Sequence, residues 1–219
     1  MKRYNKIVYR FLRLIYKPLF HILLRPVIVG RENIPSEGGA VIAGNHIHAF
    51  DPLFVDICTH RVINTLAKKE LHDGYFGFIF RGAGTIPVDL HKAHNPEALD
   101  AAVEALRNGA LVNVSPEAKR NYTDELLLPF KYGAAVMSQR TGVPVIPYAI
   151  WGSYKPFCGR MKIIIGKPIY PRNRDAAEIN RELYNSIALL LDKVMPPIER
   201  EKKKFTSFDD WSKLNEKTT

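Results

Sequence analysis

Gly39-Ala40-Val41-Ile42-Ala43-Gly44-Asn45-His46-Ile47-His48-Ala49-Phe50-Asp51-Pro52 passes from an apolar run to a proline-marked helix start. Apolar residues without polar alternation read as a strand buried on both faces, the habit of parallel sheets. Asp51 before Pro52 reads as an N-cap followed by proline at the first helical position. A strand that hands over to a helix through a short loop is half of a βαβ unit. It places Asn45, His46 and Asp51 at the carboxyl end of a strand, where open α/β sheets bind their ligands.

The same alternation continues outward. Strands are predicted at residues 27–30, 39–45, 62–66, 85–88, 110–114, 143–151 and 161–165. Helices are predicted at 51–59, 96–107, 129–140 and 175–194, with broken helix and turn over 69–80. Pro96 opens one helix and Asn108-Gly109 closes it. The expected fold is α/β: a mainly parallel mixed sheet flanked by helices over residues 26–198, preceded by an amphipathic helical membrane-docking segment.

The 219 residues carry a formal net charge of +10, which points to an anionic partner. Residues 1–25 hold basic side chains at 2, 3, 6, 10, 13, 17 and 25 and no acidic one, so most of the excess lies there. Arg3, Lys6, Arg10, Arg13 and Lys17 recur at steps of three and four, with Tyr4, Ile7, Val8, Phe11, Leu14 and Ile15 on the other side. A basic amphipathic helix with aromatic residues suits an anionic membrane surface, and Phe11 joins the cations as a docking residue. The competing assignment is a helix docked on the protein's own core. Pro18 is expected to end the first helix, and Leu19–Leu24 to form a second short piece. No charge-free stretch approaches the ~20 residues of a membrane span, and no cleavable signal is expected. Aromatic residues at helical spacing fit lipid better than bases, so no nucleic-acid partner is expected. Cys58 and Cys158 make no metal or disulfide pattern. The last residues, 199–219, mix both charges and read as a loosely held tail.

His46 and Asp51 suggest chemistry. If the loop folds back, Asp51 fixes one ring nitrogen and leaves the other as a general base for a substrate hydroxyl. The second candidate is Ser115-Pro116-Glu117-Ala118-Lys119-Arg120, which also follows a buried strand. Its glutamate and two cations suit a phosphate and a hydroxyl. Against these stand a plain helix cap and a solvated turn. His46-Ile47-His48 with Asp51 also resembles part of a metal site, the mark of a metal-dependent hydrolase. A third reading is a non-catalytic module that binds a membrane or an anionic lipid.

Together the segments resemble the glycerolipid acyltransferase family, notably its lysophosphatidic acid acyltransferases. Asn45, His46 and Asp51 match its N-H-x4-D motif. Ala67-Lys68-Lys69-Glu70-Leu71 with Gly82-Ala83-Gly84-Thr85-Ile86-Pro87-Val88-Asp89 is similar to the second block. Pro116, Glu117 and Arg120 match the third, usually F-P-E-G-T-R, and Val143-Pro144-Val145-Ile146-Pro147 resembles the fourth. The resemblance implies His46 as base and Asp51 as its orienter. Asn45, Lys68, Glu117, Lys119 and Arg120 would bind the acceptor, a lysophospholipid. The co-substrate would be acyl-CoA or acyl carrier protein, with no metal or cofactor. The enzyme would work at the cytoplasmic face of a membrane in phospholipid biosynthesis. Ala118 and Lys119 replace the family's usual glycine and threonine, and Leu90 stands where the second block usually has arginine. His91, Lys92 or Lys119 is expected to compensate.

Overall fold

The computed structural model describes residues 5–92 and 95–216. Arg3 lies outside the described residues, as does the side chain of Lys6. Seven strands form one sheet: β1 (Val27–Val29), β2 (Ala40–Gly44), β3 (Ile63–Lys68), β4 (Ile86–Val88), β5 (Leu111–Val114), β6 (Val145–Trp151) and β7 (Lys162–Ile165). Their order is β1-β7-β6-β2-β5-β3-β4. Strands β2 to β6 run parallel, β7 runs antiparallel to β6, and β1 pairs parallel with β7. The sheet is therefore mixed and mainly parallel, as predicted.

Side chains alternate across the sheet and divide the core in two. Val41, Ala43, Val112 and Val145 face α5 (Pro96–Arg107), α6 (Gly133–Thr141) and α7 (Ala176–Val194). Ala40, Ile42, Leu111 and Ile146 face α1 (Lys6–Leu24) and α2 (Asp51–Asp56). Burying each such aliphatic side chain is worth roughly 1.5–3 kcal/mol, so both layers are held mainly by apolar contact. Gly44 ends β2 opposite Tyr148 of β6, and a Cβ there would run into the Tyr148 ring. Only glycine lets the two strands close at the point where the chain leaves for His46.

Three expectations change. Pro18 lies inside α1, which runs unbroken for 19 residues. Proline removes only its own N–H, and Pro18 sits on the exposed side of the helix, where solvent can satisfy the released carbonyl. Asp51 is the first residue of α2 rather than its cap, which is Phe50. Residues 199–216 are not a loose tail, and residues 217–219 lie outside the described residues. Here α8 (Pro197–Glu201) and α9 (Phe208–Glu216) follow α7, Phe208 is buried, and Tyr184 of α7 donates to the Thr206 carbonyl. The stretch between β3 and β4 is broken helix and turn, as predicted, with α3 (Lys69–Asp73) and α4 (Gly77–Gly82) as its two short helices.

The amphipathic helix has three sides, not two. Tyr9, Phe20 and Leu24 are buried against the body. Ile7, Phe11, Leu14, Ile15 and Ile22 are all more than half exposed and form an outward apolar stripe. Arg10 and Lys17 flank it. Arg13 turns inward instead: its Nε lies 3.4 Å from Asp56 Oδ2 and its Nη2 donates to the Asp56 carbonyl at 2.8 Å. Tyr9 and Tyr16 hydroxyls also donate to the Asp56 carboxylate. Arg13 is thus a strut between helices and not a membrane-facing cation. Among the described residues no helix is long and apolar enough to cross a membrane.

Candidate active site

Parallel pairing brings the carboxyl ends of β6, β2, β5 and β3 to one edge of the sheet, in that order. His46 follows β2, the Ser115–Arg120 turn follows β5, Lys68 ends β3, and Tyr154 follows β6. The two sequence segments therefore lie side by side.

His46 Nδ1 lies 2.8 Å from Asp51 Oδ2. The same oxygen accepts from the backbone N–H groups of Ile47 (2.7 Å) and His48 (2.8 Å). The other oxygen accepts from the Tyr154 hydroxyl at 2.7 Å. Four partners on a carboxylate that is 1% exposed fix its orientation. His46 Nε2 makes no hydrogen bond to any described residue, and the ring is 21% exposed. A ring held at one nitrogen and open at the other can take a proton from a hydroxyl and return it to a leaving group.

The main chain of His46 is clasped from β5. Its N–H donates to Glu117 Oε1 at 2.9 Å, and its carbonyl accepts from Asn121 N–H at 2.9 Å. Glu117 Oε2 accepts from Leu128 N–H at 2.9 Å. Glu117 is buried, and burial pushes its carboxyl up to about 7 against the pull of these two bonds. Glu117 therefore positions the His46 backbone, and both its oxygens are engaged there rather than offered to an acceptor. Asn45 is corrected in the same way. Its amide accepts from Ile150 N–H at 2.8 Å and donates to Ile150 C=O at 2.9 Å, tying the end of β2 to β6.

Lys68, Lys119 and Arg120 are exposed at the edge. Arg120 lies over the Tyr122 ring at 5.5 Å. Of the three cations proposed to replace the missing arginine at Leu90, His91 pairs with Glu70 at 3.2 Å and Lys92 with Asp89 at 4.0 Å. Lys119 makes no ion pair among the described residues. Ala118 has φ +56°, so the turn keeps the left-handed backbone that glycine adopts more cheaply.

Tyr154 was not singled out from the sequence. It is half-buried, and desolvation beside the Asp51 charge holds its hydroxyl well above the usual range, so it stays a donor. Its ring stacks on His48 at 4.5 Å. His48 Nδ1 accepts from Phe50 N–H at 3.2 Å, which places this second histidine in the loop's own framework. A Tyr three residues past a strand carries no local signal, since its partner is 103 residues away.

An imidazole oriented by a buried carboxylate, at the carboxyl edge of a mainly parallel sheet, can serve a group transfer in which a substrate hydroxyl is the nucleophile. A model of the Acyltransferase family matches residues 25–151. The 1-acyl-sn-glycerol-3-phosphate acyltransferase of Bacillus subtilis is 31% identical over 150 residues, covering 65% of this chain and 73% of the relative. The enzyme of the same name from Borreliella burgdorferi is 24% identical over 182 residues, covering 80% and 72%. The crystal structure of the 1-acyl-sn-glycerophosphate acyltransferase PlsC from Thermotoga maritima superimposes with a TM-score of 0.60 over 84% of this chain and 79% of that one, at 23% identity, and shares the fold. The chain belongs to the acyltransferase family and is an acyl-transferring enzyme.

Proposed function

We propose that this enzyme transfers a fatty acyl group from acyl-CoA or acyl carrier protein to the free hydroxyl of 1-acylglycerol-3-phosphate, a step of phospholipid biosynthesis. The carrying observation is the 2.8 Å contact of His46 Nδ1 with buried Asp51, which leaves Nε2 uncommitted. Nε2 takes the hydroxyl proton as the oxygen attacks the thioester carbonyl. The tetrahedral intermediate collapses, the carbon–sulfur bond breaks, and the thiolate leaves with the proton from the imidazolium. An ester and a free thiol result, and no metal or prosthetic group takes part. The relatives' names support the acceptor. Lys119 is the cation best suited to its phosphate, with Arg120 and Lys68 beside it on the same edge.

The outward apolar stripe of α1, flanked by Arg10 and Lys17, supports docking on an anionic membrane surface. Phe50, beside the site, is 48% exposed and meets Phe20 on the buried side of α1 at 6.2 Å, so the site opening lies next to this helix. A soluble donor and a lipid acceptor suit an enzyme working at the cytoplasmic face.

The test incubates the purified protein with liposomes, a labelled acyl thioester and a panel of lysolipids. His46→Ala is expected to lose transfer by about 10²- to 10⁴-fold. Transfer to another lysolipid alone would reassign the acceptor, and undiminished transfer by His46→Ala would end the base assignment.

A further inference from the structure

Away from the active site, α1 borders a cleft of about 430 Å³ whose lining includes Tyr9, Arg10, Arg13, Leu14, Lys17 and His60. It lies at the opposite edge of the sheet from His46. His60 precedes Ile63, the first residue of β3, whereas His46 follows Gly44, the last residue of β2, and both strands run parallel to β5. The cleft is thus separate from the edge that carries Lys68, Lys119 and Arg120.

Its cations are not equivalent. Arg13 is spent on Asp56 and on the Arg61 carbonyl, 3.3 Å from its Nη1. The side chains of Arg10, Lys17 and His60 make no hydrogen bond or ion pair with any described residue. Arg10 and Lys17 are seven positions apart on a helix, so both project to the same side. Asp56 is matched by Arg13 and attracts Lys17 from beyond ion-pair distance, so one carboxylate faces three cations and the cleft keeps an excess of positive charge. Leu14, on its wall, is 74% exposed and belongs to the outward apolar stripe. Cationic donors therefore stand at the border of an apolar surface. A membrane phospholipid has the matching order, with phosphate above acyl chains.

We infer that this cleft seats the phosphate of an anionic membrane phospholipid, a bystander lipid distinct from the acyl acceptor. This rests on the docking proposed above. The Arg10 guanidinium presents paired N–H donors to phosphate oxygens and Lys17 adds a point charge. The cleft then makes membrane binding select for anionic lipid, while the apolar stripe supplies contact with any bilayer.

The experiment sediments the full chain with vesicles of phosphatidylcholine, with or without added phosphatidylglycerol. The parent should bind the anionic vesicles more tightly. Arg10→Gln/Lys17→Gln should lose roughly 20-fold on anionic vesicles and little on zwitterionic ones. Neither side chain makes a hydrogen bond or ion pair with a described residue, so its thermal melt should stay close to the parent's. Lys167→Gln/Lys193→Gln removes the same charge elsewhere and should retain selectivity. An equal loss in this control would overturn the inference, because diffuse charge would then explain the preference. So would protection by inorganic phosphate with vesicle binding independent of Arg10 and Lys17, which marks a soluble-anion site. The docking proposal fails separately, if the parent binds neither vesicle or if Phe11→Ser/Ile22→Ser binds both as the parent does.

Discussion

Asp51 and Asp56 stand at opposite ends of the same short helix, α2, and both carboxylates are buried. Each gathers several donors, yet they do different work. Asp51 takes two backbone N–H groups, the Tyr154 hydroxyl and one nitrogen of a ring whose other nitrogen remains open. Asp56 takes two tyrosine hydroxyls and Arg13, all from α1, and the Tyr9 hydroxyl and Arg13 reach on to the Ile63 N–H and the Arg61 carbonyl. A buried carboxylate becomes catalytic when one of its donors has a second, uncommitted end. When its donors run on into the backbone of neighbouring strands and loops, as Tyr9 and Arg13 do, the carboxylate is an anchor.

The largest effect should come from the catalytic end. In Asp51→Asn the amide oxygen can stay on the three nitrogens while the amide N–H turns to the Tyr154 oxygen, so the fold should hold. The charge that steadies the imidazolium is gone, and kcat should fall by about 10²- to 10⁴-fold in steady-state assays. Normal turnover in this variant would break the comparison.

Asp56→Ala should do the reverse. It strands the Arg13 charge and removes the acceptor of two hydroxyls, at a cost of about 3–5 kcal/mol. For a domain of this size that is a drop in Tm on the order of 10 °C, read by calorimetry. An unchanged Tm would show that α1 is held by its apolar contacts alone.

Tyr154→Phe sharpens the comparison, because it removes one donor from Asp51 and keeps the ring stacked on His48. A hydrogen bond to a charged group is worth about 1.5–3 kcal/mol, so kcat should fall on the order of tenfold with KM little changed. A change in KM alone would instead make Tyr154 a substrate contact.

Glu117 supplies the smallest test. This third buried carboxylate serves chemistry at one remove, through the His46 backbone, and its turn carries Ala118 in the left-handed region. Ala118→Gly should raise stability by about 1 kcal/mol in denaturant melts, with kcat unaltered. A loss of stability would mean that Ala118 makes a contact outweighing its backbone strain.

Much of this was legible in the sequence. The sheet could be read because its strands are short apolar runs, and α5 because Pro96 and Asn108-Gly109 mark both ends. His46 and Asp51 were visible as a pair because only a short loop separates them. Asn45 and Glu117 were visible as motif residues, but their duties were not: their partners lie 105 and 71 residues away, and spacing carries no record of that. The same holds for Arg13, which has helical phase with the other cations but faces Asp56, 43 residues on. Mixed charge hid the packing of the last residues, since Phe208 and Trp211 are two apolar anchors in a polar segment.

The nearness of Phe20 to Phe50 has a kinetic consequence. For an enzyme lying on α1, a helix about 28 Å long, the acceptor reaches the site by sliding within the bilayer plane rather than through solution. Turnover would then follow the acceptor's surface density. Diluting the lysolipid with inert phospholipid, at constant total acceptor, would slow the reaction.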